Sequence, residues 1–200
     1  MTYPNLIRLA SRFRLVLGSR SPRRVELLSA IGINFVQRIP DIEENPCPGE
    51  PPYEYAVRLA EEKALEIAVG CEANDIVLGC DTIVVLGDQV LQKPTDRDDA
   101  HRLLSELSGK HHVVCSALAL AGQTGLLTSG YELTTVYFHD VTPRQISDYI
   151  LSGEPMDKAG AYGIQGMGSF LVDRIEGNLD TVVGLPRSLL DRLAGDVLHC

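Results

Sequence analysis

No stretch of this chain approaches the roughly 18 apolar residues that a membrane-spanning helix needs, because Asp, Gly or Gln breaks each candidate run. A membrane span is therefore not expected. The residues up to Arg14 carry Arg8, Arg12 and Arg14 among apolar positions, with no apolar h-region and no small-residue cleavage site. Nothing there looks secretory, and a cytoplasmic location is expected. Positive charge is scarce as well: 18 Lys and Arg stand against 27 Asp and Glu, a net charge of −9. That deficit argues against a nucleic-acid binder, whose affinity rests on many Lys and Arg contacts to phosphate, so any bound polyanion must meet a local cluster of positive charge. The five cysteines, Cys47, Cys71, Cys80, Cys115 and Cys200, form no C-x-x-C pair, and no His stands at zinc-finger spacing. A reduced setting fits them best. Cys80 and Cys115 read as small buried residues, and His111-His112 as a surface loop pair. The segment around Gln165 lacks the G-x-G-x-x-G order after a strand and any Walker-type Lys, so neither a dinucleotide nor a P-loop reading holds.

What is present is a mixture of strands and helices. With 200 residues and 44% hydrophobic content, the chain can bury one good core or fill two small lobes, but not several independent domains. Leu15-Val16-Leu17 reads as a strand running into the loop Gly18–Pro22, after which Ser21 can cap and Pro22 can open a helix that ends at Gly32. A second strand is expected around Phe35, Val36 and Ile39, then a Pro-rich acidic loop from Asp41 to Pro52. The apolar spacing of Tyr53 to Val69 predicts a helix. Two continuous apolar runs, Ile76–Cys80 and Ile83–Leu86, bracket Asp81-Thr82 as strands covered on both faces. Helical spacing returns over Asp98–Leu107. Val113–Leu120 and Leu133–Phe138 read as an antiparallel pair, Thr142-Pro143 opens a helix that Gly153 ends, Phe170–Val172 reads as a strand, and Leu185-Pro186 leads into a terminal helix. The expected class is α/β or α+β, a mixed sheet with flanking helices.

Two local features point to chemistry. Arg23 and Arg24 fall in the first turn of a helix, where the macrodipole disfavours cations by several tenths of a kcal/mol each and where a capping box would place Glu or Gln instead. Either a phosphate binds at this helix start, where backbone N–H groups already favour anions, or the arginines are solvated and pair with acids such as Glu26. Asp81 interrupts apolar strand residues, and a carboxylate in such surroundings needs a cation, a metal or strong hydrogen bonds to stay charged. It reads as a base or metal ligand facing a cleft, or as a structural cap on the next turn. Glu43-Glu44, Glu61-Glu62-Lys63 and Gln92-Lys93-Pro94 carry no signal on composition alone.

Taken in order, these pieces resemble the Maf family of nucleotide pyrophosphatases from Leu15 to Leu190. The motifs are Ser19-Arg20-Ser21-Pro22-Arg23-Arg24, Arg58-Leu59-Ala60-Glu61-Glu62-Lys63-Ala64, Gly79-Cys80-Asp81-Thr82, Lys93-Pro94, Leu107-Ser108-Gly109, Asp157–Gly166 and Val183-Gly184-Leu185-Pro186. Each is weak alone, but the series is specific. Gly18, Arg20 and Cys80 depart from residues that are often Ala, Gly and Ala in the family, and Gln92 stands where Glu or Gly usually precedes Lys-Pro.

The resemblance implies an α/β fold with a mixed twisted sheet and flanking helices, similar to inosine triphosphate pyrophosphatases. Residues 15–200 would form one domain of two lobes around a nucleotide cleft, residues 1–14 an extension of unknown role, and the assembly a homodimer. It also implies an enzyme that cleaves nucleoside triphosphates to monophosphate and pyrophosphate. Asp81 matches the proton acceptor; Ser21, Arg23, Arg24, Lys63 and Lys93 match the substrate-binding set; Glu44 and Asp81 match the ligands of a divalent cation, Mg²⁺ or Mn²⁺. Arg23, Thr82 and Gln165 match the positions that mark the branch acting on dTTP and UTP, whereas the 7-methyl-GTP branch has Gln after the Asp and Ser-Glu-Gly in place of Ile164-Gln165-Gly166. A Gln amide offers a donor and an acceptor to a uracil or thymine edge. Two other roles are compatible with the resemblance: house-cleaning of modified pyrimidine nucleotides, and a non-catalytic inhibitor of septum formation.

Overall fold

The sheet begins with β1 (Arg14–Gly18), whose Leu15, Val16 and Leu17 are all buried. In the computed structural model, which describes residues 2–199, seven strands form one mixed sheet. Its order is β2-β1-β3-β5-β6-β7, with β4 added against β3. β2 (Phe35–Arg38) and β3 (Asp75–Leu86) both run parallel to β1, while β4 (Gln89–Leu91) is antiparallel to β3. β5 (His111–Gly122) and β6 (Gly125–Phe138) follow, and β7 (Val172–Glu176) lies antiparallel to the end of β6. The mixed α/β class is thus present, with seven α-helices among the described residues: α1 (Pro4–Arg12), α2 (Pro22–Ser29), α3 (Pro52–Ala68), α4 (Arg97–Leu107), α5 (Pro143–Leu151), α6 (Leu179–Val183) and α7 (Arg187–His199).

The described chain groups into two compact units, each with its own core. The first comprises the chain up to Asp81, Ser116–Glu132 and the residues from Gly184 onward; the second comprises Thr82–Cys115 and Leu133–Val183. In the first, Leu6, Leu9, Leu15, Leu17, Leu28, Ile76, Leu78, Leu118, Leu120 and the α7 leucines form one cluster. The segment ahead of Leu15 is part of it: α1 lays Leu6 and Leu9 against α7, and Asp191 of α7 accepts the Leu6 N–H at 2.9 Å, satisfying a donor that the helix start leaves open. In the second unit, Val84, Leu91, Leu103, Leu104, Leu107, Val136, Phe138, Ile146, Tyr149, Ile150 and Tyr162 pack together. The α5 start has the full reciprocal cap, Thr142 with Gln145.

Several boundaries differ from the sequence pattern. Asp81-Thr82 does not separate two strands, because β3 continues through it; a buried lysine partner lets the ladder carry a carboxylate. Ser21 occupies the cap position of α2 without a side-chain cap bond. Phe170 and Leu171 end a 3-10 turn, and the strand starts at Val172. His111-His112 is strand rather than loop: alternation turns His111 out and His112 in, where its Nε2 lies 2.8 Å from the Tyr162 hydroxyl. Burial pushes the His112 pKa down to about 4, so the ring is neutral near pH 7. Cys80 and Cys115 are buried as expected, and burial raises the Cys80 thiol to about 11, which leaves it unreactive.

Candidate active site

Two adjacent glycines decide how close α3 comes to the sheet. Gly18 and Gly79 are register partners in β1 and β3. A Cβ on Gly18 would meet Ile67 Cδ1 at 3.1 Å, and one on Gly79 would run into the Ala60 carbonyl and reach the Ala64 N at 2.7 Å. Bare backbone at both places therefore lets the helix rest directly on the strands. The approach brings Lys63, one residue before Ala64, onto Asp81, two residues beyond Gly79.

Lys63 and Asp81 are both buried, with relative exposures of 7% and 6%. Lys63 Nζ donates to Asp81 Oδ1 at 2.6 Å and lies 2.6 Å from Glu44 Oε1. One ammonium thus bridges two carboxylates, taking one oxygen from each. Asp81 is buried, whereas the Glu44 side chain is 40% exposed and opens the cluster toward solvent. Glu44 comes from the acidic loop, whose composition alone reads as solvated surface, and α3 ties that loop down. The Tyr55 hydroxyl donates to the Glu44 carbonyl at 2.9 Å, and Arg58 clamps Glu50 through Nε and Nη2 at 2.6 and 2.7 Å while its Nη2 also reaches the Asn45 carbonyl. The paired guanidinium holds the Glu50 carboxyl down at about 2.

The loop after β1 is fixed from three sides. Ser19 is buried; its Oγ accepts the Ser21 N–H at 3.2 Å and Arg24 Nη1 at 3.0 Å, and its carbonyl accepts Gln37 Nε2 at 2.8 Å. Arg24 Nη1 also donates to the Cys80 carbonyl at 3.1 Å, and its Nε donates to the Gly184 carbonyl at 2.9 Å. Those contacts join the start of α2 to the strand carrying Asp81, a role that the residue types alone do not reveal. Neighbouring Arg23 is partly exposed and has no acid partner among the described residues, Glu26 included. Ser21, also partly exposed, lies on the same loop.

The remaining predicted residues belong to the second unit. Thr82 is a partly buried member of β3; Lys93 is exposed just after β4; Gln165 is exposed in the glycine-rich segment. Among the described residues no helix is long and apolar enough to cross a membrane, and no three His, Cys, Asp or Glu side chains gather as a metal site.

A family model described as Maf-like protein matches residues 14–196, nearly the whole chain. This chain belongs to the Maf family. Among curated Maf relatives, the dTTP/UTP pyrophosphatase of Yersinia pestis is 49% identical over 173 residues, 86% of this chain and 87% of that one. The dTTP/UTP pyrophosphatase of Vibrio cholerae is 45% identical over 180 residues, 90% of this chain and 96% of that one. In shape, a HAM1 protein from Coxiella burnetii aligns over 94% of this chain and 100% of its own at 16% identity, with a TM-score of 0.48.

Proposed function

We propose that this Maf chain is a cytoplasmic pyrophosphatase that hydrolyses dTTP and UTP, or modified pyrimidine nucleotides of the same shape, to the monophosphate and pyrophosphate. The observation that carries the reading is the buried Asp81 held with Glu44 on one lysine ammonium, beside a pinned loop whose Arg23 has no acid partner among the described residues. The names of relatives at 45–49% identity supply the substrate class.

In this reading Arg23, with Ser21 and the N–H groups at the start of α2, meets the phosphates. Arg24 serves the same loop chiefly by holding it against β3. Lys63 has three N–H donors, of which two go to Asp81 and Glu44; the third is left to a phosphate oxygen, and Lys93 adds a further positive charge. Asp81, held by Lys63, orients or deprotonates the water that attacks the first phosphorus, with pyrophosphate as the leaving group.

A divalent cation fits the same residues. Mg²⁺ is usually bound through one or two carboxylates plus substrate phosphates and waters rather than a full protein cage, and Glu44 and Asp81 are two such acids converging on one cation. Bound there, Mg²⁺ or Mn²⁺ would neutralise charge on the phosphates. The net charge of −9 argues against a nucleic-acid partner, and the family resemblance implies a homodimer.

Assays of pyrophosphate release with Mg²⁺ or Mn²⁺ should give the highest kcat/KM for UTP and dTTP, and a chelator should abolish turnover. No release from any triphosphate would instead favour an interaction protein, such as a septum-formation inhibitor. Thr82 and Gln165 are proposed to set base choice together with Arg23. Gln165→Glu should lower the preference for UTP over CTP by about tenfold, the loss expected for one mispaired hydrogen-bonding group. An unchanged ratio would remove Gln165 from that role.

A further inference from the structure

Gln165 stands on an arch whose two feet are held by a single pair of side chains. At one foot the Gly163 N–H donates to the Tyr149 hydroxyl at 3.1 Å, and that hydroxyl donates in turn to Glu154 Oε1 at 2.9 Å. At the other foot, the Met167 N–H donates to Glu154 Oε2 at 2.8 Å and the Gly168 N–H to Oε1 at 3.3 Å. These are the first amides of the 3-10 turn Met167–Leu171, so Glu154 caps that turn from 13 residues away. Three glycines permit the wrap. A Cβ on Gly163 would lie 2.8 Å from Glu154 Oε1, one on Gly168 would lie 2.6 Å from the Tyr149 hydroxyl, and one on Gly166 would collide with Glu154 Oε2.

The pair is itself anchored. Tyr149 is buried in α5, and Lys158 Nζ donates to the Glu154 backbone carbonyl at 2.6 Å. Burial pushes the Glu154 carboxyl up, but the Met167 N–H and the Tyr149 hydroxyl outweigh it and hold the pKa below the usual glutamate value. Between the feet, no side-chain hydrogen bond fixes the Gln165 backbone directly among the described residues.

We infer that Glu154 and Tyr149 are positioning residues for Gln165, and that base selectivity depends on this carboxylate–phenol clamp rather than on Gln165 alone. The inference rests on the reading of Gln165 as a base-selecting residue. An amide in place of the Glu154 carboxylate presents one acceptor oxygen instead of two, and loss of the Tyr149 hydroxyl leaves the Gly163 N–H without its acceptor.

The test compares Glu154→Gln, Tyr149→Phe and Gln165→Ala in the full chain. Amide hydrogen exchange at Gly163, Met167 and Gly168 should quicken in the first two variants. In both, the ratio of kcat/KM for UTP to that for CTP should fall about tenfold while kcat for UTP stays within about threefold, because the clamp touches no reacting atom. A purely structural role would lower the melting temperature without moving that ratio. Unchanged exchange in both variants would overturn the clamp, whatever Gln165 does. Faster exchange with an unchanged ratio, alongside a shifted ratio in Gln165→Ala, would overturn its role in selectivity. If Gln165→Ala leaves the ratio unchanged, the reading of Gln165 fails, and the selectivity role of the clamp fails with it.

Discussion

Asp81→Asn is expected to fold like the parent protein and to lose about a thousandfold in turnover, within the 10²–10⁴ range that a general acid–base group contributes. Asn matches Asp in shape, and its amide oxygen can still accept the Lys63 ammonium now bonded at 2.6 Å. Removing one partner of a buried ion pair ordinarily costs 3–5 kcal/mol because the other charge is left uncompensated. Here that cost is reduced, since Glu44 also lies 2.6 Å from the same ammonium. What the substitution removes is the negative charge by which Asp81, in the proposed role of base, would draw a proton from water. Pyrophosphate release from UTP, measured beside a thermal melt, separates the two effects: a tenth or more of the original rate in a folded Asp81→Asn protein would show that Asp81 is not the base.

Gly79→Ala should act through the backbone. A single methyl group there runs into the Ala60 carbonyl and sits 2.8 Å from the Ala64 Cβ, and neither can rotate away because both are part of α3. The helix must lift or the strand must bend, and overpacking of this kind typically costs 1–3 kcal/mol; we expect about 3 kcal/mol, the upper end. For a chain of this size that corresponds to a melting temperature lower by roughly 6–12 °C. Activity should fall further than stability accounts for, since a lifted α3 carries Lys63 away from Asp81 and loosens the loop of Glu44. A Gly79→Ala protein with parental melting and parental kcat would mean that the close helix–strand approach does not set the Lys63–Asp81 contact. Gly32→Ala is a useful contrast: nothing lies within 4 Å of its Cβ, so its cost is confined to a φ of +83°.

The legible parts of this protein are those where one residue type admits few environments. β1, α2, α3, α4, α5 and α7 follow from hydrophobic period and from Gly and Pro punctuation, and their cores fill as that spacing requires. Asp81 was visible because an acid among strand residues must have a partner. Arg23 was visible because a cation at a helix start is locally unfavourable. By contrast α1 is not legible in the sequence, although Leu6 and Leu9 stand at helical spacing, since so short an amphipathic segment gains its stability from packing on α7 rather than from propensity. At His111-His112, polarity masks the strand alternation that buries one ring and exposes the other.

Local sequence specifies most of the elements and, through an ordered series of motifs, membership of the Maf family. Long-range packing alone makes Lys63 bridge Glu44 and Asp81, lets Arg24 hold the loop of Ser19 to the strand of Asp81, and carries Glu154 to the amides of Met167 and Gly168. The division has a physical cause: periodicity and capping are local along the chain, whereas a charge finds its partner through the approach of backbones far apart in sequence, here governed by two glycines that leave no mark on composition.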